Sequence, residues 1–231
     1  MTESYEINEL AKEESWRMFR IIGELVEGFD KLSDIEPAVT IYGSARIEEG
    51  GELYQKTRRI AKLIGQQGFT IVTGGGPGVM EAANRGGKEA GVKSVGLNIA
   101  LPEEQGPNPY TTRAISFHYF FARKIMLVKY ASAFVIMPGG LGTLDELTEL
   151  LTLMQTKKIK PFPVVLFGGE YWRGFLTWLK DFALERGLIS EEDFELLRVC
   201  NREEEVIDTI QTWKKKKRLG GERALFGGWE A

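Results

Sequence analysis

Cysteine and histidine are almost absent from this sequence of 231 residues, which contains one of each, Cys200 and His118. A lone cysteine excludes an intrachain disulfide, and together the two residues cannot build a zinc cluster or a three-histidine metal site. A Ser-His-Asp triad has only His118 available as its base. The sequence therefore excludes the common zinc sites and leaves His118 as the single candidate base for a catalytic triad.

Long apolar runs and an excess of one charge are also missing. Lysine and arginine number 30 against 33 acidic residues, and the formal charge of −3 offers no bulk attraction to nucleic acid. The apolar runs, such as 133–137 and 163–167, are far below the ~20 residues of a membrane-spanning helix. The acidic beginning of the chain is unlike a signal peptide. We therefore expect a soluble, cytoplasmic protein that binds neither nucleic acid nor membranes.

Short apolar segments alternate with amphipathic ones along most of the chain. This alternation predicts an α/β fold of the Rossmann-like class, a parallel sheet with helices on both faces, within one domain over residues 1–231. A loop over 100–116 is rich in proline and is a candidate lid. The predicted strands lie within 38–46, 69–78, 93–99, 132–140 and 161–169. The predicted helices span 6–34, 53–67, 78–91, 118–130, 142–156, 171–185, 191–198 and 202–216.

The first predicted helix carries an apolar stripe at three- and four-residue steps. We expect this stripe to cover a sheet edge or to form a subunit contact. At the other end of the chain, the basic run 214–218 is typical of a solvated helix end. The tail 219–231 should be loosely ordered unless a partner subunit holds its apolar residues. The stripe consists of Phe19, Ile22, Val26, Phe29 and Leu32, and the apolar residues of the tail are Leu225, Phe226 and Trp229.

Glycine is the abundant residue: its 27 copies are about 12% of the chain, against about 7% in an average protein. Three predicted strands end in glycine, at Gly43, at 74–78 and at 139–142. Ligands of open α/β sheets bind beyond the carboxyl ends of strands. The segment 74–79, GGGPGV, lacks the last glycine of the dinucleotide fingerprint, and no Walker motif is present. Tight strand-to-helix turns are the alternative, but the repeated clusters favour backbone N–H groups that bind a phosphate.

Two motifs and a basic pair carry a family resemblance. PGGLGTLDE (138–146), GGGPGVMEAANRGG (74–87) and Arg123-Lys124 resemble the Lonely Guy family of phosphoribohydrolases, many of whose members were once labelled possible lysine decarboxylases. The resemblance covers roughly 37–200, flanked by the first helix and by a C-terminal helix and tail over 201–231. The longer loop 101–110 and the extra terminal helices resemble the larger bacterial branch.

The resemblance implies a reaction and an assembly. The reaction is hydrolysis of a purine nucleoside 5′-monophosphate, such as AMP or a cytokinin riboside 5′-monophosphate, to free base and ribose 5-phosphate. It uses no metal and no organic cofactor. The assembly is a homodimer or a higher even-numbered homo-oligomer, in which the subunit contact completes the catalytic cleft.

The same resemblance assigns roles to individual positions. Arg123 and Glu146 match the catalytic arginine and glutamate of the family. Glu81 departs from the pattern, because plant-type members have glycine there, and this leaves base recognition open. The matched phosphate-binding positions are Gly139, Gly140, Gly142 and Thr143. The resemblance also matches Gly43, Ser44, Gly75 and Gly76 to nucleotide-contacting positions. Apart from the resemblance, Glu81, Asn98 and Lys124 are further predicted substrate-binding positions.

Both catalytic assignments have structural alternatives. Thr143 and Glu146 have the spacing of a capping box, in which the two side chains bond to free N–H groups of their own helix. Arg123 has the alternative of an exposed ion pair on a helix. In the catalytic interpretation, the Glu146 carboxylate lies under a ribose that becomes cationic, and the planar fork of Arg123 holds phosphate, ribose or base.

Two other functions remain as alternatives. A nucleotide sensor would use the same cleft without turnover, although it would have no need of a carboxylate beside a bound phosphate. A decarboxylase would need a lysine that carries pyridoxal phosphate, and no lysine in the sequence is marked by its context.

Overall fold

The computed structural model describes residues 3–100 and 106–218. Seven parallel strands form one continuous sheet in the order β4-β3-β2-β1-β5-β6-β7. The strands are β1 (Ala38–Tyr42), β2 (Thr70–Thr73), β3 (Ser94–Ile99), β4 (Arg113–Phe117), β5 (Ala131–Ile136), β6 (Val164–Phe167) and β7 (Leu197–Cys200). The predicted Rossmann-like parallel sheet is thereby confirmed.

Strand order reverses in the middle of the sheet. β1 pairs with β2 on one side and with β5 on the other, for example through Thr40 opposite Val72 and Phe134. Successive connections run outward in opposite directions from this pair, so the carboxyl ends of β1 and β5 diverge into separate loops. This topological switch point is where ligands of open α/β sheets bind.

Helices cover both faces of the sheet. They are α1 (Glu3–Lys31), α2 (Glu52–Gln66), α3 (Val79–Glu89), α4 (Phe120–Lys129), α5 (Leu141–Gln155), α6 (Gly169–Trp178), α7 (Glu191–Phe194) and α8 (Glu203–Arg218), with a π-helical segment at Leu179–Leu184 after α6. Alternate residues of each strand point to opposite faces. In β1, Val39 and Ile41 pack with α2, α3 and α8, whereas Ala38 and Tyr42 pack with α4, α5 and α6.

Two strands are absent from the sequence-based predictions. Arg113–Phe117 is a strand, so the predicted loop over 100–116 is wrong for its last residues. The polar and proline residues before it mask its alternating pattern, and pairing with β3 decides the conformation. Similarly, Leu197–Cys200 pairs with β6, and the predicted helix 191–198 ends at Phe194. Residues 101–105 of the candidate lid and the tail 219–231 lie outside the described residues.

The first helix ends at Lys31 rather than at residue 34, and most of its apolar stripe is exposed. Of the five stripe residues only Leu32 is buried, and the face toward the protein carries Glu24 and Gly28 instead. A side chain at residue 28 would meet the flexible end of the Met126 side chain on α4, so the two helices pack closely there. The stripe therefore does not cover a sheet edge within this chain. None of the helices in the described ranges is both long and apolar enough to cross a membrane.

Candidate functional site

The glycine clusters predicted at strand ends meet at the switch point. Gly43 and Ser44 follow β1, and Pro138 and Gly139 follow β5. The Ser44 N–H donates to the Pro138 carbonyl at 3.1 Å, which joins the two loops. The Ser44 carbonyl accepts from the Val79 N–H at 3.0 Å, so the beginning of α3 is attached to the same point. Backbone hydrogen bonds alone therefore bring together the ends of β1 and β5 and the beginning of α3.

The glycine loop that follows β5, residues 138–142, is called the second glycine loop; it leads into α5 and presents free donors. Gly140 is the N-cap of α5, and in the described part of the chain no side chain accepts from its first turn. The N–H groups of residues 141–143 consequently lack intrahelical acceptors, and the helix dipole adds partial positive charge there. Gly140 and Gly142 border open space where side chains would otherwise stand. This loop has the chemistry of an anion site.

The capping-box alternative for Glu146 is wrong. The helix begins at Leu141, so Thr143 is its third residue rather than its N-cap. The Thr143 side chain is buried against Gly139, where a Cβ atom would clash with the Thr143 hydroxyl. Glu146 therefore lies in the second turn, beyond the free N–H groups that a capping side chain satisfies.

The first glycine loop, Gly74–Gly76, is held from both sides by hydrogen bonds. The Gly75 N–H donates to Thr73 Oγ1 at 2.9 Å. Asn108 binds the loop from the other side, because its Nδ2 donates to the Gly75 carbonyl at 3.0 Å and to the Gly76 carbonyl at 3.1 Å. Gly75 has a φ of +75°, and a side chain there would overlap Asn98. The loop thus requires glycine at residue 75.

Arg123 connects this loop to α5, the helix that follows the second loop. It projects from α4 and is 9% exposed. Its Nε donates to the Leu97 carbonyl at 2.5 Å and its Nη2 to the Gly74 carbonyl at 3.4 Å. Its Nη1 lies 3.9 Å from Glu146 Oε1 on α5. The alternative of an exposed ion pair is therefore wrong, since the guanidinium is buried beside the first glycine loop and fixed in orientation by backbone carbonyls.

Glu146 is a largely buried carboxyl group, with a side chain that is 15% exposed. Burial raises its pKa, and the nearby charge of Arg123 only partly offsets this, so that the pKa of Glu146 is about 7. Asp145 raises the pKa further and Lys124 lowers it. A carboxyl group that changes charge near neutral pH is suited to proton transfer and to stabilising a transient cation.

The remaining predicted positions differ in their surroundings. Lys124 forms ion pairs with Asp145 at 2.7 Å and with Glu149 at 3.2 Å, and thereby ties α4 to α5. Glu81 accepts from the Tyr54 hydroxyl at 2.9 Å and so contacts α2.

Asn98 is buried beside Gly75, and its Oδ1 has no hydrogen-bond partner in the part of the chain that the structure describes. In the same ranges, no group of three or more His, Cys, Asp or Glu side chains could hold a metal ion.

Two residues that contact the glycine loops are missing from the sequence-based predictions. Asn108 belongs to the segment predicted as a candidate lid, yet its side chain is buried and anchors the first loop. Tyr171 lies in the first turn of α6, and its hydroxyl donates to the Gly139 carbonyl at 2.7 Å. One signal in the sequence could have indicated Tyr171: like the glycine clusters, it lies just after a predicted strand.

Sequence comparisons place relatives of this chain among nucleotide-cleaving enzymes. A probable cytokinin riboside 5′-monophosphate phosphoribohydrolase of Oryza sativa subsp. japonica is 29% identical over 159 residues, which are 67% of this chain and 74% of the relative. A cytokinin riboside 5′-monophosphate phosphoribohydrolase of Rhodococcoides fascians is 26% identical, with 76% of this chain and 89% of the relative covered. A pyrimidine/purine nucleotide 5′-monophosphate nucleosidase of Escherichia coli is 28% identical, but the match spans 63% of this chain and 34% of that longer protein.

Solved structures of similar fold carry other functions. The molybdenum cofactor carrier protein of Chlamydomonas reinhardtii superposes with a TM-score of 0.58 at 23% identity and covers 78% of this chain and 99% of its own. The molybdenum cofactor binding protein of Rippkaea orientalis gives a TM-score of 0.54 at 22% identity and covers 76% and 94%. At such low identity these likenesses show the fold alone.

The family model described as possible lysine decarboxylase matches residues 80–210, more than half of the chain. This span contains Arg123, Glu146 and the second glycine loop, and the named relatives are phosphoribohydrolases and nucleosidases. The chain therefore belongs to the Lonely Guy family, whose model still carries the older decarboxylase description.

Proposed function

We propose that this protein hydrolyses the N-glycosidic bond of a purine nucleoside 5′-monophosphate, with AMP or a cytokinin riboside 5′-monophosphate as substrate. Water adds to C1′ of the ribose, the C1′–N bond breaks, and the base leaves with the bonding electrons and takes up a proton. The products are free base and ribose 5-phosphate. The names of the relatives support this reaction class.

One observation carries the proposal: a buried Arg123–Glu146 pair lies beside an uncapped helix N-terminus. We place the phosphate on the free N–H groups of the second glycine loop, at Gly139, Gly140, Gly142 and Thr143. The ribose then lies over Glu146, about one helical turn farther along. The cleft is also bordered by the other glycine-loop positions, Gly43, Ser44, Gly75 and Gly76. Further contacts are proposed at its margins, from Asn98, Lys124 and Glu81.

In this arrangement Glu146 acts on the sugar. Breaking the glycosidic bond develops positive charge on the ribose ring, as in glycoside hydrolysis. A carboxylate in a site with little water stabilises that charge strongly, because the surrounding dielectric is low. The same group can accept a proton from the attacking water, since its pKa of about 7 lies near neutral pH.

Arg123 acts by holding rather than by proton transfer, because a guanidinium stays charged at any working pH. Its Nε and Nη2 bind the carbonyls of Leu97 and Gly74. The remaining Nη1 group is oriented toward Glu146 and is placed to donate to the ribose, the phosphate or the base. Its positive charge also favours the ionised form of Glu146.

The decarboxylase alternative finds no support in Lys124, the lysine nearest the pair. Burial lowers the pKa of Lys124, but hydrogen bonds to Asp145 and Glu149 more than offset this and raise it overall. A lysine that forms a Schiff base needs the opposite, a neutral amine at working pH.

We also propose that the protein is a homodimer or a higher even-numbered homo-oligomer. Apolar side chains of α1 and α4 that face solvent in one chain would be buried in the contact. Because α4 also carries Arg123, such a contact would lie beside the cleft. The exposed residues are Trp16, Met18, Phe19, Ile22, Val26 and Phe29 on α1, and Phe120, Phe121 and Ile125 on α4. We place the protein in the cytoplasm, where the unpaired Cys200 needs no partner.

Incubation of the purified protein with a panel of purine and pyrimidine nucleoside 5′-monophosphates tests the proposed reaction. Chromatography should detect free base and ribose 5-phosphate in equal amounts from at least one purine nucleotide. The matched nucleosides, which lack the phosphate, should react much more slowly. Tight binding of AMP without release of adenine would instead establish the nucleotide sensor.

A further inference from the structure

Tyr171 contacts the second glycine loop through its hydroxyl group. Its hydroxyl donates to the Gly139 carbonyl at 2.7 Å, and its ring is about half exposed. The ring packs edge-on against Trp172, with centroids 5.1 Å apart. Trp172 is itself buried, and its indole N–H donates to the Phe167 carbonyl at 3.2 Å. The phenol is therefore held by a rigid support at the beginning of α6.

The peptide that Tyr171 binds is constrained on its other sides as well. Thr143 packs against the Gly139 α-carbon so closely that a side chain at residue 139 would clash with it. The Ser44 N–H would lie 2.9 Å from such a side chain, on the side of β1. Residue 139 is therefore enclosed from three sides, so that only glycine fits there, and its carbonyl is bound by Tyr171.

The orientation of this peptide decides where the next N–H group points. In a trans peptide the carbonyl and the following N–H point in opposite directions. Because the Gly139 carbonyl faces Tyr171, the Gly140 N–H faces away from Tyr171. Gly140 borders open space, and the described residues provide no acceptor for this N–H. The donor is therefore free for a ligand, next to the uncapped first turn of α5.

We propose that Tyr171 is a positioning residue of the phosphate site, which acts by fixing the Gly139–Gly140 peptide so that the Gly140 N–H is directed at the bound phosphate. This inference rests on the proposed function, since it places the phosphate of the substrate on the second glycine loop. Without the hydroxyl, the peptide loses the bond that orients it, and the donor is no longer held in place before binding. We therefore expect the loss of binding affinity to be confined to ligands that carry a phosphate.

Tyr171→Phe removes the hydroxyl and keeps the ring against Trp172. Tyr130→Phe is the matched control, because the Tyr130 hydroxyl also donates to a backbone carbonyl, that of Phe29 at 3.3 Å, away from the loops. Each change is made in a Glu146→Gln background, which removes the proposed turnover. Titration calorimetry gives the Kd of AMP and adenosine, and displacement of AMP gives that of inorganic phosphate.

We expect Tyr171→Phe to raise the Kd of AMP and the Kd of inorganic phosphate by the same factor. This factor is about three- to tenfold, as for loss of one hydrogen bond. The Kd of adenosine should change by less than about twofold in Tyr171→Phe. Tyr130→Phe should leave the Kd of all three ligands unchanged. Equal weakening of adenosine and AMP, or unchanged binding of AMP and phosphate, would overturn the assignment. These measurements need no base release, so their outcome is distinct from the outcome of the hydrolysis assay.

Discussion

The Nη1 atom of Arg123 lies 3.9 Å from Oε1 of Glu146, although the two residues come from different helices, α4 and α5. Both side chains are largely buried, with 10% and 15% of their surfaces exposed. The arginine is oriented by the carbonyls of Leu97 and Gly74. This pair gives the cleft a fixed cation beside an acid that titrates near neutral pH.

Glu146→Gln should abolish most activity while leaving the protein folded. The amide keeps the shape of the side chain but cannot stabilise a cationic ribose or accept a proton, so we expect a loss of about 10²–10⁴ in kcat. Base release measured by chromatography, with thermal unfolding in parallel, tests this. Glu204→Gln provides a control that removes an exposed carboxylate on α8. A folded Glu146→Gln protein with normal turnover would refute the catalytic role.

The stability of the protein should depend on pH through the same residue. The folded pKa of Glu146, about 7, is above its ordinary value of 4.5, so the native state prefers the protonated form. Its contribution to stability is therefore full below about pH 4.5 and is lost as the pH rises through about 7. Relative to wild type, Glu146→Gln should gain in free energy of unfolding between about pH 5 and about pH 8. Denaturant titrations at several pH values measure this difference, and a constant difference would contradict the raised pKa.

The pH profile of kcat/KM should report the same ionisation. If the carboxylate is the active form, kcat/KM rises with a midpoint near 7 in the free enzyme. The charge of Asp145 raises the pKa of Glu146, so Asp145→Asn should move this midpoint to lower pH. Ionisation of the substrate phosphate is the same in both enzymes and cancels in the comparison. A midpoint that stays in place or moves upward would contradict the assignment.

Arg123→Lys should impair activity although it conserves the positive charge. Lysine cannot donate to the Leu97 and Gly74 carbonyls through a planar fork and still present a fixed N–H to the ligand. We expect kcat/KM to fall by about 10- to 100-fold, as for loss of hydrogen bonds to charged groups. Arg59→Lys, which changes an arginine paired with Glu203 far from the glycine loops, should retain normal kinetics. Near-normal kcat/KM in the Arg123 variant would contradict the role of the fork.

Gly75→Ala should be more destabilising than Gly68→Ala. Both glycines have φ near +80°, so each substitution strains the backbone by about 1–2 kcal/mol. A side chain at residue 75 also overlaps Asn98, whereas one at residue 68 meets open space. Chemical denaturation of both variants compares their free energies of unfolding, and an equal loss would show that the first loop relaxes around the methyl group.

Phe19→Asp should dissociate the proposed oligomer. The Phe19 side chain is exposed on α1, and a carboxylate there would be buried against apolar surface in a subunit contact. Leu188→Asp is the control, because Leu188 is exposed between the π-helical segment and α7. Light scattering after size exclusion should show a monomer for the first variant and the wild-type mass for the second. A monomeric wild type would refute the oligomer.

Local patterns in the sequence were sufficient for five strands, most helices and the position of the glycine clusters, because apolar periodicity and glycine act over a few neighbouring residues. The same patterns failed for β4 and β7, whose short segments become strands only by pairing with β3 and β6. Thr143-x-x-Glu146 is the clearest case in the site. Its spacing fits a capping box, yet the helix begins at Leu141, so Glu146 lies beyond the first turn and does not cap the helix.

The amino-acid sequence by itself determined the α/β class and the position of the glycine clusters at strand ends, since both follow from local spacing. Only the tertiary structure decided that Arg123 and Glu146 share a buried site, that Asn108 anchors the first glycine loop, and that Tyr171 binds the second. These contacts join residues far apart in the chain. The raised pKa of Glu146 has the same origin, because burial is a property of the packed fold and not of the sequence around the residue.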